Sequence, residues 1–257
     1  MLVDSHCHLN MHQFTSNLDN VISNAIKNDV QYMQTICTKL EELEDILKIT
    51  DKYNNIFASV GVHPNNTRKD ISTEKLIQLS KHNKIIGVGE TGLDYYYKET
   101  EAYIQKKSFV SHINASAATS LPVIIHSRNA DKDMIEILVS EMKNQNFQGL
   151  LHCFSSTKEL AYKALDLGLY ISISGIITFN NAEDLRNIVS DIPLERLLIE
   201  TDAPYLAPTP YREKFNEPAY VRVIAEKIAK IKNISFDKFA EVSSSNFFRL
   251  FKKAQKI

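Results

Sequence analysis

The 257-residue sequence has only three cysteines, Cys7, Cys37 and Cys153, and no CxxC pair. An odd count without such a pair gives no basis for a disulfide framework and fits a reducing compartment. A basic excess is also missing: 30 Lys and Arg stand against 31 Asp and Glu, a formal net charge of -1. Proteins that grip long duplex DNA through many phosphates usually carry a strong positive bias, so tight non-specific wrapping is not expected. No apolar run reaches the ~18 residues of a membrane span. The opening residues Met1-Leu2-Val3-Asp4-Ser5-His6 hold no basic stretch followed by a long apolar one. No signal peptide is therefore expected, and the expected location is cytoplasmic. No low-complexity linker divides the chain, and no GxGxxG follows an apolar run, which removes the mark of a dinucleotide-binding sheet.

What is present is a hydrophobic fraction of 44%, enough for a sizeable core. Short apolar runs alternate with longer amphipathic stretches. The strand candidates are 2–3, 30–36, 56–62, 85–88, 123–125, 150–151, 169–173 and 197–199. Helical patterns cover 39–53, 100–120, 131–143, 158–167, 218–231 and 236–254. Repeated β-then-α units imply a parallel sheet. Eight strands at this length point to a closed (β/α)8 barrel, for which about 250 residues is typical. The expectation is one α/β barrel domain spanning residues 1–257.

The chemically useful side chains follow these apolar runs: Asp4-Ser5-His6-Cys7-His8, His63-Pro64, Glu90 to Asp94, His126-Ser127-Arg128, His152-Cys153-Phe154 and Glu200-Thr201-Asp202. In a parallel barrel the C-terminal strand ends share one rim, so residues over a hundred positions apart converge. His6, His8, His126 and His152 supply imidazoles, and Glu90 and Asp202 supply carboxylates. Both are ligand types for divalent ions such as Zn, Mn or Mg. On a strand, residues i and i+2 share a side, so His6 and His8 can face one ion. A single histidine is usually a core or surface residue, and a carboxylate at a strand end often caps a helix. The six in register argue for a metal centre. Six donors exceed one open tetrahedral site and suffice for two ions if one carboxylate is shared. His12, His82 and His112 fall in loop or helix contexts and read as structural.

Together DSHCHL at 4–9, GVHP at 61–64, GETGLD at 89–94, IHSRNADKD at 125–133, HCFS at 152–155, ETDAPYLAP at 200–208 and NEPAYV at 216–221 resemble the TatD family of metal-dependent deoxyribonucleases. The blocks run in order almost from end to end. The HxH block alone would indicate only the wider amidohydrolase superfamily. The resemblance implies a TIM barrel with two divalent ions (Mg, Mn or Zn). His6, His8, Glu90 and Asp202 would hold one ion, and Glu90, His126 and His152 the other, with Glu90 as the bridge. His63 and Asp94 match family positions near the site. Two departures stand out. Ser156 replaces the glycine that commonly follows HCFS, and the segment 210–215 is less basic than usual.

In such a centre an activated water attacks phosphorus, with Asp202 the candidate proton acceptor. Arg128 suits a phosphate oxygen through its planar fork, or else forms a rim salt bridge. Tyr95, Tyr96, Tyr97, Phe154, Tyr205 and Tyr211 follow strand ends, where they either stack on bases or cover the mouth. Lys98, Arg212 and Lys214 supply local positive charge or are solvated. The expected partner is the single-stranded or frayed end of DNA, digested from the 3′ end as the resemblance implies. No membrane and no obligate protein partner is expected. The competing expectation is hydrolysis of a small amide, ester or lactone. A carboxylated lysine in the bridging position would favour that chemistry, and here the position is Glu90.

Overall fold

The computed structural model describes residues 1–68, 71–97 and 99–256. Eight strands form one sheet in sequence order: β1 (Leu2–Cys7), β2 (Val30–Thr35), β3 (Ile56–Val60), β4 (Ile85–Asp94), β5 (Val123–Arg128), β6 (Gly149–Leu151), β7 (Tyr170–Ile173) and β8 (Leu197–Ile199). Each pairs in parallel with the next. The last seam, between β8 and β1, closes just beyond the end of β8. Asp202 N–H donates to His6 O at 2.9 Å and His8 N–H to Ala203 O at 2.8 Å. The Ser5 hydroxyl adds a bond to Ile199 O at 2.9 Å. The expected barrel is therefore formed.

One buried cluster takes a residue from every strand: Val3, Tyr32, Phe57, Ile86, Ile124, Leu150, Tyr170 and Leu198. Eight strands can contribute one side chain each to a single cluster only around the barrel axis. Phe247, Leu250, Phe251 and Ala254 join this cluster from the end of helix Phe236–Leu250 and the turn that follows it. The helix end thus closes the barrel opposite the C-terminal rim. The outer core packs the strands against helices with apolar stripes. In helix Val221–Ile231 the buried residues are Val221, Ile224, Ala225, Ile228 and Ala229, the spacing of one helical face. Among the described residues no helix is long and apolar enough to cross a membrane.

Three boundaries depart from the sequence expectation in a way that matters for the site. Strand β1 runs past its apolar pair to Cys7 and so carries His6. Strands β4 and β5 likewise do not stop where the apolar runs stop. Their ladder continues through Gly92↔His126, Leu93↔Ser127 and Asp94↔Arg128. Backbone pairing is indifferent to side-chain polarity when the polar groups find partners in a shared cluster. Glu90 and His126 therefore sit on rigid strand, not on loops. Helices His12–Thr15, Leu18–Lys27, Thr73–Leu79 and Glu183–Asp191 add to the expected set.

Candidate metal centre

Two glycines let β3, β4 and β5 approach closely beneath Glu90. A Cβ on Gly61 would lie 2.5 Å from Gly89 Cα. Gly92 adopts φ +134°, a region L side chains rarely enter, and a Cβ there would fall 2.1 Å from the His126 carbonyl oxygen. The seam does the same on the other side. It fixes the backbone of His6 and His8 to that of Asp202 and Ala203. Asp202 itself takes φ 56°, a strained choice for a non-glycine residue.

All six expected ligands converge. Glu90 presents its two oxygens to different neighbours. Oε2 lies 3.3 Å from His6 Nε2. Oε1 lies 2.7 Å from His152 Nε2, 3.0 Å from His126 Nδ1 and 3.5 Å from His63 Nε2. Asp202 Oδ1 stands 3.3 Å from His8 Nε2 and 3.6 Å from His6 Nε2. The His6 and His152 rings stack with centroids 4.0 Å apart. Three overlapping groups have donor atoms mutually within 4.8 Å: His6, His8 and Glu90; His6, His152 and Asp202; and His63, Glu90 and His126. His63, expected only as a nearby residue, thus shares a group with two expected ligands.

The donor set suits a cation. Among the described residues, neither ring nitrogen of His6, nor Nδ1 of His8, has a hydrogen-bond partner, although all are buried. Buried imidazoles normally satisfy both nitrogens, so these lone pairs are left for another acceptor of electrons. Burial opposes the charge on Glu90, yet His152, His63 and His6 outweigh it and hold the carboxyl well below its usual range. Burial also opposes a proton on His152, but Glu90 and Glu200 prevail and hold its pKa well above the ordinary value. The cluster is a sink for positive charge.

Two carboxylates orient the ligands, and sequence reasoning missed one of them, Glu200. Glu200 is fully buried and receives His152 Nδ1 at 3.2 Å, together with the Cys153 N–H at 2.6 Å and the Ser172 hydroxyl. With Nδ1 committed to Glu200, Nε2 is the His152 nitrogen that faces Glu90 and would meet an ion there. Asp94, noted only as lying near the site, does the same for His126: its Oδ2 is 3.1 Å from Nε2, leaving Nδ1 toward Glu90. Such carboxylate–histidine pairs fix the tautomer of a ligating ring. Burial raises Asp94, but His126 and the Tyr96 and Tyr97 N–H groups overcome it and bring it to about 2. Asp4 has another task. It bonds Thr201 N–H at 2.9 Å and the Thr201 hydroxyl across the seam, and burial pushes its carboxyl up to about 8.

The rim residues divide. Arg128 has no ion pair among the described residues. Its guanidinium lies 3.9 Å from the Tyr96 ring centroid and 4.9 Å from that of Tyr97. These rings are 54% and 56% exposed, so the three form a solvent-facing ledge. The ledge hangs from Asp94 Oδ1, which accepts both tyrosine N–H groups. Tyr205 is 48% exposed and meets His8 edge-on with ring centroids 6.1 Å apart. Tyr95 turns inward and donates its hydroxyl to Asp133 at 2.6 Å. Phe154 is core. Arg212 donates to Ala207 O at 2.9 Å and stacks on Phe179, while Tyr211 stacks on Tyr220. Lys214 lies 5.7 Å from the Tyr211 ring, and Lys98 is outside the described residues. Ser156 donates to Asp131 at 2.5 Å, tying its loop to the start of the preceding helix, Asp131–Asn144. In the NEPAYV block, Asn216 donates to Thr201 O at 2.8 Å and to Tyr205 O at 2.6 Å, clamping the loop that carries Asp202.

Comparison with known proteins agrees with this architecture. The family described as TatD related DNase matches residues 3–252. The Escherichia coli K12 protein named uncharacterized metal-dependent hydrolase YcfH is 43% identical over 253 residues, 97% of this chain and 95% of that one. The Bacillus subtilis protein named uncharacterized metal-dependent hydrolase YabD is 36% identical over 98% of this chain and 99% of its own. Among solved structures, the TatD homolog YjjV from E. coli superposes with a TM-score of 0.90 at 25% identity, covering 98% of both chains. The match from end to end, together with a barrel rim built from imidazoles around a shared carboxylate, shows that this chain belongs to the TatD family of metal-dependent hydrolases.

Proposed function

We propose that the chain hydrolyses phosphodiester bonds at the ends of DNA, acting as a 3′-to-5′ exonuclease on single-stranded or frayed strands. The observation that carries this reading is a juxtaposition at one mouth. Glu90 is shared between two donor sets, and an exposed cation–aromatic ledge stands beside it. His6, His8, Glu90 and Asp202 would hold one divalent ion, and Glu90, His126 and His152 a second. When bound, such ions supply Lewis-acid activation of water and offset charge on phosphoryl oxygens.

The chain's own groups supply the rest. Asp202 is ionised, because His8 and the flanking His6 and His152 outweigh its burial, so it can take the proton of the attacking water. Arg128, its face resting on Tyr96, would donate to a non-bridging phosphate oxygen. Tyr96, Tyr97 and Tyr205 can receive unpaired bases by their faces, a contact worth ~1–3 kcal/mol per base and indifferent to sequence. A net charge of -1 disfavours wrapping a long duplex, whereas a strand end needs only this mouth. The polarity rests on the family resemblance.

The test uses end-labelled oligonucleotides beside a circular single strand of the same sequence, with Mg or Mn present. Stepwise loss from the 3′ end with the circle intact is expected. Rapid cutting of the circle would mean an endonuclease. Turnover of a lactone or amide without any cleavage of nucleic acid would replace the proposal with amidohydrolase chemistry.

A further inference from the structure

The ring nitrogens of His63 have the opposite polarity to those of the histidines around it. His126 and His152 each give their far nitrogen to a carboxylate, Asp94 and Glu200, and turn the other toward Glu90. His63 instead places Nδ1 3.1 Å from the Asn65 backbone N–H. A backbone amide can only donate, so Nδ1 must hold a lone pair. A neutral imidazole has one N–H, and with Nδ1 bare the proton resides on Nε2. An imidazolium would have no lone pair to offer Asn65. A ring ligating through Nε2 would have to lose both protons while still accepting at Nδ1. His63 therefore brings an N–H into the site, although its position alone would pass for that of a ligand.

The surroundings hold this polarity firmly. His63 N–H donates to Thr38 O at 3.0 Å, and its carbonyl accepts from Asn66 N–H at 2.8 Å. Asn65 is anchored in turn by its side-chain amide, which donates to Asp94 Oδ2 at 3.1 Å. Beneath the loop, Val62 N–H donates to His112 Nε2 at 3.1 Å. At the free end, Nε2 stands 3.5 Å from Glu90 Oε1, at the limit of a hydrogen bond, and Glu90 Oε1 already faces His126 and His152 more closely. The His63 side chain keeps 16% of its surface exposed.

We infer that His63 is not a metal ligand but a catalytic hydrogen-bond donor, its Nε2–H aimed at an anionic oxygen of the substrate's phosphoryl group. This rests on the phosphodiester reading above for the identity of the oxygen, but not for the position of the proton. A preorganised donor at a site of developing charge is worth about 10²–10³ in kcat.

The test compares wild type, His63→Ala and His63→Gln, all loaded with Mn. Elemental analysis counts the bound ions, oligonucleotide cleavage gives kcat and KM, and ¹⁵N NMR of histidine-labelled protein reads the tautomer. The expected result is unchanged ion content in both variants, with kcat for His63→Ala down about 10²–10³-fold and KM little moved. His63→Gln, which can still present an N–H, recovers part of that loss. The spectrum of metal-free wild type should contain an Nε2–H pattern, distinct from that of His126, that vanishes in His63→Gln. Loss of an ion in the variants, an Nδ1–H pattern for His63, or full kcat in His63→Ala would overturn the assignment. If wild type cleaves no phosphodiester, the function proposal fails on that arm, while ion count and tautomer still decide for or against the donor.

Discussion

His112 lies inside helix Ala102–Thr119 and is completely buried. Its Nδ1 donates to Ser108 O at 2.7 Å, and its Nε2 accepts the Val62 N–H. Burial drives its pKa from the ordinary 6.5 down to about 4, against the smaller opposing effect of the Ser108 carbonyl. The ring is neutral in the folded protein, while the unfolded chain takes up a proton first. With the folded pKa below the unfolded one, the contribution is complete above pH 6.5 and disappears as pH falls toward 4. At about 1.36 kcal/mol per pKa unit, roughly 3 kcal/mol is lost across that window, and about 2 kcal/mol is already gone at pH 5. The assay is urea unfolding of wild type and His112→Gln at half-unit steps from pH 7 to 4, with chelator present throughout. The variant is less stable at neutral pH, by about 1–3 kcal/mol for imperfectly replaced bonds. Its disadvantage should shrink by roughly 3 kcal/mol toward pH 4. Taking the difference cancels the other histidines. Parallel loss of stability in the two proteins would refute the reasoning.

Exhaustive chelation should abolish hydrolysis, and Mg or Mn should restore it. Full turnover after chelation would remove the metal from the mechanism. Glu90→Gln should weaken both ions together, since each oxygen faces a different donor set; metal analysis finding two ions at unchanged affinity would end the bridging role. Asp202→Asn should lower kcat by about 10²–10⁴-fold with the circular dichroism of wild type, as its carboxylate belongs to the rim rather than the core. Near-normal kcat would take it out of the proton path. Gly92→Ala should impair folding or metal uptake, because the added carbon would meet the His126 carbonyl at 2.1 Å. A variant with native melting temperature and ion content would show that β4 and β5 can part without consequence.

Much of this was readable from the chain itself. The apolar runs gave eight strands, and the polar residues closing them gave the six converging side chains. Spatial relations without a linear signature were not readable. Glu200 lies inside the quoted ETDAPYLAP block, yet nothing in sequence links it to His152, 48 positions earlier. The ring polarity of His63 depends on one backbone amide two residues away. Polarity does not mark the end of β4, because the ladder runs on past the apolar run and through the ligands. The helix Leu18–Lys27 had an available signal: Leu18, Val21, Ile22 and Ala25 repeat at i, i+3, i+4 and i+7. Its asparagine-rich polar face obscured it.

The closing seam has a consequence for when the protein can act. Asp4, His6 and His8 leave the ribosome well before the partner that Asp4 binds, Thr201, which emerges 197 residues after it. At about 5–20 residues per second, the first strand waits on the order of 10–40 s for the segment that completes the rim. Until then no nascent chain holds Asp202 beside the first two histidines. Fragments released early, or chains cut before the last strand, lack the full donor set by construction. Maturation of the active centre thus coincides with the final step of barrel assembly, and a half-made molecule has no means of hydrolysis.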